Sequence, residues 1–543
     1  MPWTPRTFAE SFKDTVDAYP DNEFIIDGAD RLTYREVANK VDRVAEGLID
    51  HGVQHGDRIS TWLSNCHEIV VTWLAAAKIG AVLVPMNTHY KEQEAAYALS
   101  QSKSSVLVYK PEFAGTNFEE MVASLQGKID SLEHTVAIGD SERPGSVRWA
   151  DLTEGNADLA DKVIERQQEV SPDDPNLIVF TSGTTGDPKG AVHDHNSILK
   201  NEERITEWMN ASPEDSRLSY LPPYHIAGSC TEIIGPMMIG SSIVFLEAFD
   251  PVEAMEWVES ESVSIMSGIP THFKMILNHE RYDEFDLSSL CGGWVGGSAV
   301  DESLALSLRN DLGMDEMVVV YGMTETISVT TFTEPDDTIH HITTTDGRPI
   351  SNIDREIWGT EPGFEVGIFD AETDSELPAG QEGEIRVRGD IVLREYFNMP
   401  EKTQEAIDKD GWFHTGDRGM MTDDGYLTVT GRIKDIFIVG GENVAPAEVE
   451  DYISTHDSVK IVSVVGIPHE RLGQVGKAYV EPKPGHKITE EEIISYCEEE
   501  IAGFKIPRSV EIYHEDDWPL TPTGKIQKFV LEERAKSKRE DDQ

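Results

Sequence analysis

Four cysteines, Cys66, Cys230, Cys291 and Cys497, are spread over 543 residues without a C-x-x-C pair. That excludes a disulfide framework and a thiolate zinc site, and the four read as reduced structural thiols of a cytoplasmic protein. No apolar run is clean enough to cross a membrane. The best candidate, "IVVTWLAAAKIGAVLVPM" (69–86), is broken by Lys78, Gly80 and Pro85, which predicts a buried helix running into a strand. The opening "MPWTPRTFAESF" has no basic segment followed by an apolar one, so no secretory signal is expected. Positive charge is scarce as well: 46 Lys and Arg face 100 Asp and Glu, a formal net charge of −54. Phosphate-rich partners would be repelled, which argues against nucleic acid and anionic membranes.

The carboxylates are not gathered in a tail; they run along the whole chain. Diffuse acidity in an otherwise ordinary globular composition, 39% hydrophobic, suits a protein whose self-repulsion is screened by concentrated salt. A halophilic, archaeal source is the expectation. The length suggests roughly three or four folding units. Up to about residue 360, helical stretches such as "YREVANKVDRVAEGLIDHG" alternate with short strands such as "DRISTWL", "AVLVPMN", "SSVLVYK" and "EMVVVY". That rhythm predicts layered α/β with a largely parallel sheet. From residue 363 shorter β-rich runs, "FEVGIFD", "GEIRVRG" and "GYLTVTGR", predict an antiparallel barrel or sheet unit. After "TGRIKD" (430–435) a compact α+β tail follows.

Chemistry concentrates in a few stretches. "TSGTTGDPKG" (181–190) follows the apolar run "NLIVF". Thr181, Ser182, Thr184 and Thr185 offer hydroxyls, Lys189 a point charge, and Gly183, Gly186 and Gly190 freedom for backbone amides to face an anion. It is not the common triphosphate loop, because Pro188 replaces the second glycine and Gly190 the hydroxyl after the lysine. "YGMTET" (321–326) follows a β-branched strand, so Tyr321 to Glu325 belong at the C-terminal edge where α/β sheets bind ligands. There Tyr321 could stack on a base, Thr324 donate to a phosphate and Glu325 hold Mg2+ between phosphate oxygens. "GWFHTGDRG" (411–419) predicts a tight Gly-flanked turn presenting Asp417 to ribose hydroxyls, with Arg432 downstream. "PLTPTGKIQK" (519–528) exposes Lys525 in a Pro-stiffened loop. "HDH" (193–195) reads as packing and helix capping, not as a metal site, and "HH" (340–341) as surface.

Six motifs, the glycine-rich loop, "YGMTET", "GWFHTGDRG" and "PLTPTGKIQK" with "LPPYHIAG" (221–228) and "GRIKDIFIVGGENVAPAEVE" (431–450), follow one another along the chain in the family's order and resemble the AMP-forming acyl-CoA synthetases. Their adenylate-forming superfamily also holds firefly luciferase and peptide-synthetase adenylation domains. "YGMTETI", "LREYFNMPEKTQEAI" and "GGENV" are most similar to crotonobetaine/carnitine-CoA ligases and their medium- and long-chain relatives. The resemblance implies a large N-terminal domain (1–433) of layered α/β sheets with a β-barrel-like unit at about 350–433. A small, mobile α+β domain (434–543) would carry the catalytic lysine.

The implied reaction has two steps. A carboxylate attacks the α-phosphate of ATP to give an acyl-adenylate and pyrophosphate; the thiol of CoA then displaces AMP. In the family the lysine matching Lys525 bridges carboxylate and α-phosphate while Mg2+ and the glycine-rich loop hold the leaving phosphates. Asp417 and Arg432 would grip the ribose and Tyr321 the adenine. Gly296, Gly297 and Ser298 would line the adenine and acyl side, and His225 would orient the carboxylate. The tail would turn about Lys434 and bring Gly440 and Gly441 alongside the pantetheine arm. Two departures stand out: Ile438 replaces a lysine that assists thioester formation in some relatives, and Gln474 replaces a usual glutamate, from which little is expected. Gly322 stands where acetate-specific relatives carry a tryptophan, leaving room for a longer acyl group capped by Trp294 and Met323. The expected partners are a small carboxylate, ATP and CoA, and a homodimer is an allowed assembly. The alternatives are a specialised carboxylate-CoA ligase (crotonobetaine/carnitine, aryl or branched) and, from another class, an inactive nucleotide-binding regulator. The latter should have lost Lys525 or Glu325, and both are present.

Overall fold

The computed structural model describes residues 3–139, 141, 143, 145–181, 188–352, 363–439, 442–469, 471–520 and 526–541. It divides into two compact units. The first comprises Met1–Val366, Val387–Phe413 and Gly425–Leu427; the second comprises Gly367–Arg386, His414–Asp424 and Thr428–Gln543.

Helices of the first unit start where the sequence supplies caps. Thr33 and Glu36 close a capping box, Thr33 Oγ1 accepting from Glu36 N–H (3.2 Å) and Glu36 Oε2 from Thr33 N–H (2.8 Å), so the helix Tyr34–Asp50 begins there. The 69–86 run folds as expected, into the buried helix His67–Lys78 and the strand Val82–Pro85. Among the described residues the unit contains an eight-stranded and a nine-stranded sheet. In the first, Arg58–Trp62, Val82–Pro85, Ser104–Tyr109 and His134–Ala137 run parallel. Pro175–Thr181 and Lys189–Asp194 form an antiparallel hairpin, and Glu395–Tyr396 adds antiparallel to its outer strand. In the second, the strands from Glu316–Tyr321 through Gly292–Gly296, Ile265–Met266, Ser216–Ser219 and Ser242–Phe245 to Glu23–Asp27 are all parallel. Apolar runs such as "FII" (24–26), "IVF" (243–245) and "MVVV" (317–320) fit strands covered on both faces. One core gathers Phe8, Phe24, Tyr34 and Trp73; another lies among Leu218, Met266, Phe273, Trp294 and Val318.

The β-rich stretch forms a four-stranded sheet of Phe364–Phe369, Glu382–Gly389, Phe413–Met421 and Leu427–Arg432. In the second unit Val459–His469 and Gly473–Pro482 pair antiparallel, and Ser509–Ile512 joins the latter in parallel. The helices Pro446–Ser454, Glu490–Glu500 and Lys528–Asp541 belong to the same unit, whose core includes Phe437, Val464, Tyr479, Ile493 and Leu531. The chain is thus the expected α/β protein with a smaller α+β unit. Among the described residues no helix is long and apolar enough to cross a membrane.

Candidate functional site

Of the residues expected at the site, Ser182, Gly183, Thr184, Thr185, Gly186, Gly440, Gly441 and Lys525 lie outside the described residues. Both ends of the glycine-rich loop are described. Thr181 closes one strand and Lys189 opens the next, paired across the hairpin with Thr181 Oγ1 donating to the Lys189 carbonyl (3.4 Å). Gly190 departs from its expected part in an anion cradle. It sits inside the strand opposite Phe180, and a Cβ there would meet the Ile178 side chain at 2.8 Å.

"YGMTET" lies at the C-terminal end of Glu316–Tyr321, as expected, and then folds back on itself. Thr330 N–H donates to the Tyr321 carbonyl (2.9 Å) and Ser328 N–H to the Met323 carbonyl (3.2 Å). The reversal puts Ser328 O only 2.0 Å from where a Gly322 Cβ would stand, so the backbone itself forbids a side chain at 322. It also forces Ile327 (φ 50°) and Ser328 (φ 69°) into the left-handed region, a strained choice for a β-branched residue. Buried Asn201 holds the strained turn, its Nδ2 donating to the carbonyls of Ile327 (2.8 Å) and Val329 (3.1 Å).

Glu325 becomes the hub of this turn. Its backbone carbonyl accepts from Leu393 N–H (2.8 Å), and its Oε1 accepts from the Tyr396 hydroxyl (3.0 Å) and from Thr181 Oγ1 (3.5 Å). Lys189 Nζ lies over the Tyr396 ring, 4.2 Å from its centroid. Tyr396 therefore joins the carboxylate of one motif to the lysine of another. Burial, with the Glu325 charge, pushes its phenol far above the ordinary range and keeps it a donor. His193 contributes from behind: its Nε2 donates to the Thr324 carbonyl (2.8 Å). Burial lowers its pKa to about 4, so the ring is neutral and the proton sits on Nε2. Tyr396 and His193 were not expected at the site. "LREYF" had signalled only a likeness, and a 131-residue separation hides the pairing of His193 with Thr324.

The remaining "HDH" residues do what was expected. Asp194 caps the helix His195–Trp208, accepting from Ser197 N–H (2.8 Å), and His195 Nδ1 accepts from Phe8 N–H (3.2 Å) and lies 3.1 Å from Asn176 Nδ2. His225 precedes a π-helical stretch, Ala227–Ile234, and its ring lies 4.8 Å from that of Tyr224. Such i+5 turns are rare and concentrate at functional sites. Below it lie three buried ionisable groups, Glu202, Arg217 and Glu232, with Arg217 Nη1 3.3 Å from Glu232 Oε1. Burial raises Glu202 to about 8 and Glu232 to about 7. Thr231 donates to Glu202 Oε1 (3.3 Å) and pairs with Ser328 Oγ (3.1 Å), tying this stretch to the strained turn.

Gly296 ends the strand Gly292–Gly296, paired with Val320, and Gly297 and Ser298 are exposed beyond it. Trp294 and Met323 are not brought together as a cap. Trp294 is buried in the core of the nine-stranded sheet, its indole against Glu232, whereas Met323 packs with Leu393, Tyr396 and Phe413. Alternation explains this: Trp294 faces inward two residues before the strand end, and Met323 lies beyond the edge of the neighbouring strand.

In the second unit, Asp417 lies in the nine-residue strand Phe413–Met421 and not in a free turn, although Gly416 has a positive φ (71°) and Asp417 N–H donates to Thr415 Oγ1 (3.0 Å). Asp417 is nearly buried, and its Oδ1 lies 3.2 Å from Arg432 Nε. Lys434 follows in the 3-10 turn Ile433–Asp435. Ile438 is half exposed, and its N–H donates to Gln474 Oε1 (3.0 Å). Gln474, from which little was expected, thus fixes the backbone at the other departure.

Hard oxygen ligands at the C-terminal edge of parallel strands, next to a glycine-rich loop, define a nucleotide-using enzyme. The chain belongs to the AMP-binding enzyme family: that family's model matches residues 12–397 and the model of its C-terminal domain residues 448–525. The chain is similar to acyl-CoA ligases along nearly its whole length. A 3-[(3aS,4S,7aS)-7a-methyl-1,5-dioxo-octahydro-1H-inden-4-yl]propanoyl:CoA ligase of Rhodococcus jostii (strain RHA1) is 35% identical, with 98% of this chain and 99% of the relative covered. The mitochondrial medium-chain acyl-CoA ligase ACSF2 of Danio rerio is 33% identical, with 98% and 89% covered. The ATP-bound crystal structure of MatB from Rhodopseudomonas palustris matches with a TM-score of 0.80 at 27% identity, covering 97% of this chain and 98% of MatB.

Proposed function

We propose that this acyl-CoA synthetase activates medium- to long-chain fatty acids in the cytoplasm of a halophile, through an acyl-adenylate. The observation that carries the reading is the Glu325–Tyr396–Lys189 cluster, which joins three separate motifs at one strand edge. Glu325 would take Mg2+, since its neighbours Thr181 and Tyr396 also offer oxygen. The ion would neutralise phosphate charge when bound. Thr181, Ser182, Gly183, Thr184, Thr185, Gly186 and Lys189 would hold the departing phosphates, with Thr324 donating to the α-phosphate. Lys525 would draw the carboxylate and α-phosphate together, stabilising charge as it builds on the transferring group. Asp417 and Arg432 would hold the ribose, and Tyr321, Gly297 and Ser298 the adenine. The tail from Lys434 onward would then turn, exchanging Lys525 for Gly440 and Gly441 beside CoA.

The medium-chain reading is supported by the likeness to ACSF2. A specialised cyclic carboxylate is the second reading, favoured by the 35% identical Rhodococcus relative. A pyrophosphate-release panel of acetate, straight-chain fatty acids, alicyclic oxo acids, aromatic acids and crotonobetaine decides between them. Run with and without concentrated KCl, it should show turnover of fatty acids that depends on salt. Activation of acetate or crotonobetaine alone would overturn the substrate class, and full activity in dilute buffer the halophilic reading.

A further inference from the structure

Tyr220 follows the strand Ser216–Ser219 and is buried at 2% exposure, yet its hydroxyl has no hydrogen-bond partner among the described residues. His272, in the helix Pro270–Leu277, packs edge-on against the Tyr220 ring (5.0 Å between centroids) and tilts on Phe249 (4.4 Å). Its Nδ1 is likewise buried and without a partner among the described residues. Both atoms face one spot. A Cβ on Gly268 would stand 2.1 Å from the Tyr220 hydroxyl oxygen and 3.1 Å from His272 Nδ1, which is why only glycine fits there. Gly268 bridges to Val295 in the sheet, donating to the Trp294 carbonyl (2.9 Å) and accepting from Gly296 N–H (3.0 Å). The two atoms therefore lie next to the strand end that carries Gly296, Gly297 and Ser298.

Burying a polar group without a partner is costly, and folded proteins rarely tolerate two together without a use. The surroundings select what could satisfy them. Arg217 Nη1 is already paired with Glu232, which commits that cation to a carboxylate of the protein. Burial lowers His272 to about 4, leaving a neutral ring that cannot neutralise an anion. A neutral oxygen fits: Tyr220 O–H donates to it, and a hydroxyl can donate in turn to His272 Nδ1.

We propose that the acyl site of this synthetase prefers carboxylic acids bearing a neutral oxygen function, oxo or hydroxy, on the acyl chain, held by Tyr220 and His272 beside Gly268. The proposal rests on the synthetase reading above and narrows its substrate class. The test compares octanoate, decanoate and dodecanoate with their singly oxo- and hydroxy-substituted derivatives, the substituent being moved along the chain. Pyrophosphate release is measured for wild type, Tyr220→Phe and His272→Phe. At one position the substituted acid should exceed its parent in kcat/KM by about tenfold, the worth of one good hydrogen bond. Either variant should bring that ratio close to one, chiefly through KM. Tyr220→Phe should melt no lower than wild type, because it removes a hydroxyl that nothing in the protein satisfies. Parent acids used as well as every substituted acid, a preference that survives Tyr220→Phe, or a clearly lower melting temperature for that variant would overturn the proposal. If wild type activates no acid at all, the synthetase reading itself fails, an outcome distinct from equal use of both series.

Discussion

Two sides of the first unit are built on opposite plans. Around Glu325 most polar groups are paired with one another: phenol to carboxylate, lysine to the face of the same ring, imidazole Nε2 to the Thr324 carbonyl, with His193 Nδ1 left without a partner among the described residues. Around Gly268 the tyrosine hydroxyl and histidine nitrogen lack partners among the described residues. A wall whose groups are largely paired before substrate arrives suits chemistry common to every turnover, because preorganised groups need no reorganisation at the moment of reaction. An incomplete wall suits the part of the substrate that distinguishes one acid from another, since a group left unpaired penalises the wrong ligand. Changes on the first side should lower the rate for all acids alike, and changes on the second should alter ratios between acids.

The largest effect should come from Lys525. Lys525→Ala should lower adenylate formation by about a thousandfold or more, for every acid equally, while the variant still converts supplied acyl-adenylate and CoA. Equal loss of both half-reactions would refute the proposed exchange of roles by the tail. Glu325→Gln comes next, with about a hundredfold loss in pyrophosphate release and a higher Mg2+ requirement, again without altering acid preference. Tyr396→Phe leaves the carboxylate but removes its donor, and should cost about tenfold. A change in the ratio between acids in either variant would blur the division between the two sides.

The smallest effect concerns stability. Glu202 is raised by burial to about 8 in the folded protein from an ordinary value of 4.5. The folded state therefore holds a proton that the unfolded chain has released, so this group's contribution is intact below about pH 4.5 and lost as the pH climbs through 8. Glu202→Gln should remove that decline, narrowing the stability loss over this window by about 1 kcal/mol or more, as read from urea unfolding at several pH values. Parallel curves for the two proteins would mean that Arg217 keeps Glu202 ionised.

Much of this was legible in the sequence because it is local. Apolar alternation and runs located the parallel strands, the 69–86 run folded as a buried helix leading into a strand, and "YGMTET" fell at a strand edge for the stated reason. What was not legible depends on partners distant in the chain. Asp417 was expected in a turn because glycines flank it, but strand pairing overrides that local signal. Trp294 and Met323 were expected to cap one acyl pocket yet join different apolar clusters. Gly322 suggested pocket size, whereas the immediate cause is the carbonyl of Ser328. Tyr396, His193 and Gln474 act through partners that only the folded chain brings near.

The central claim is that an acyl-adenylate forms before CoA takes part. Exchange of labelled pyrophosphate into ATP, measured in concentrated KCl with a fatty acid and without CoA, tests it most directly. Exchange should require the acid and be lost in Lys525→Ala; exchange that appears only when CoA is added, or release of ADP and phosphate in place of AMP and pyrophosphate, would rule out the adenylate as the first product.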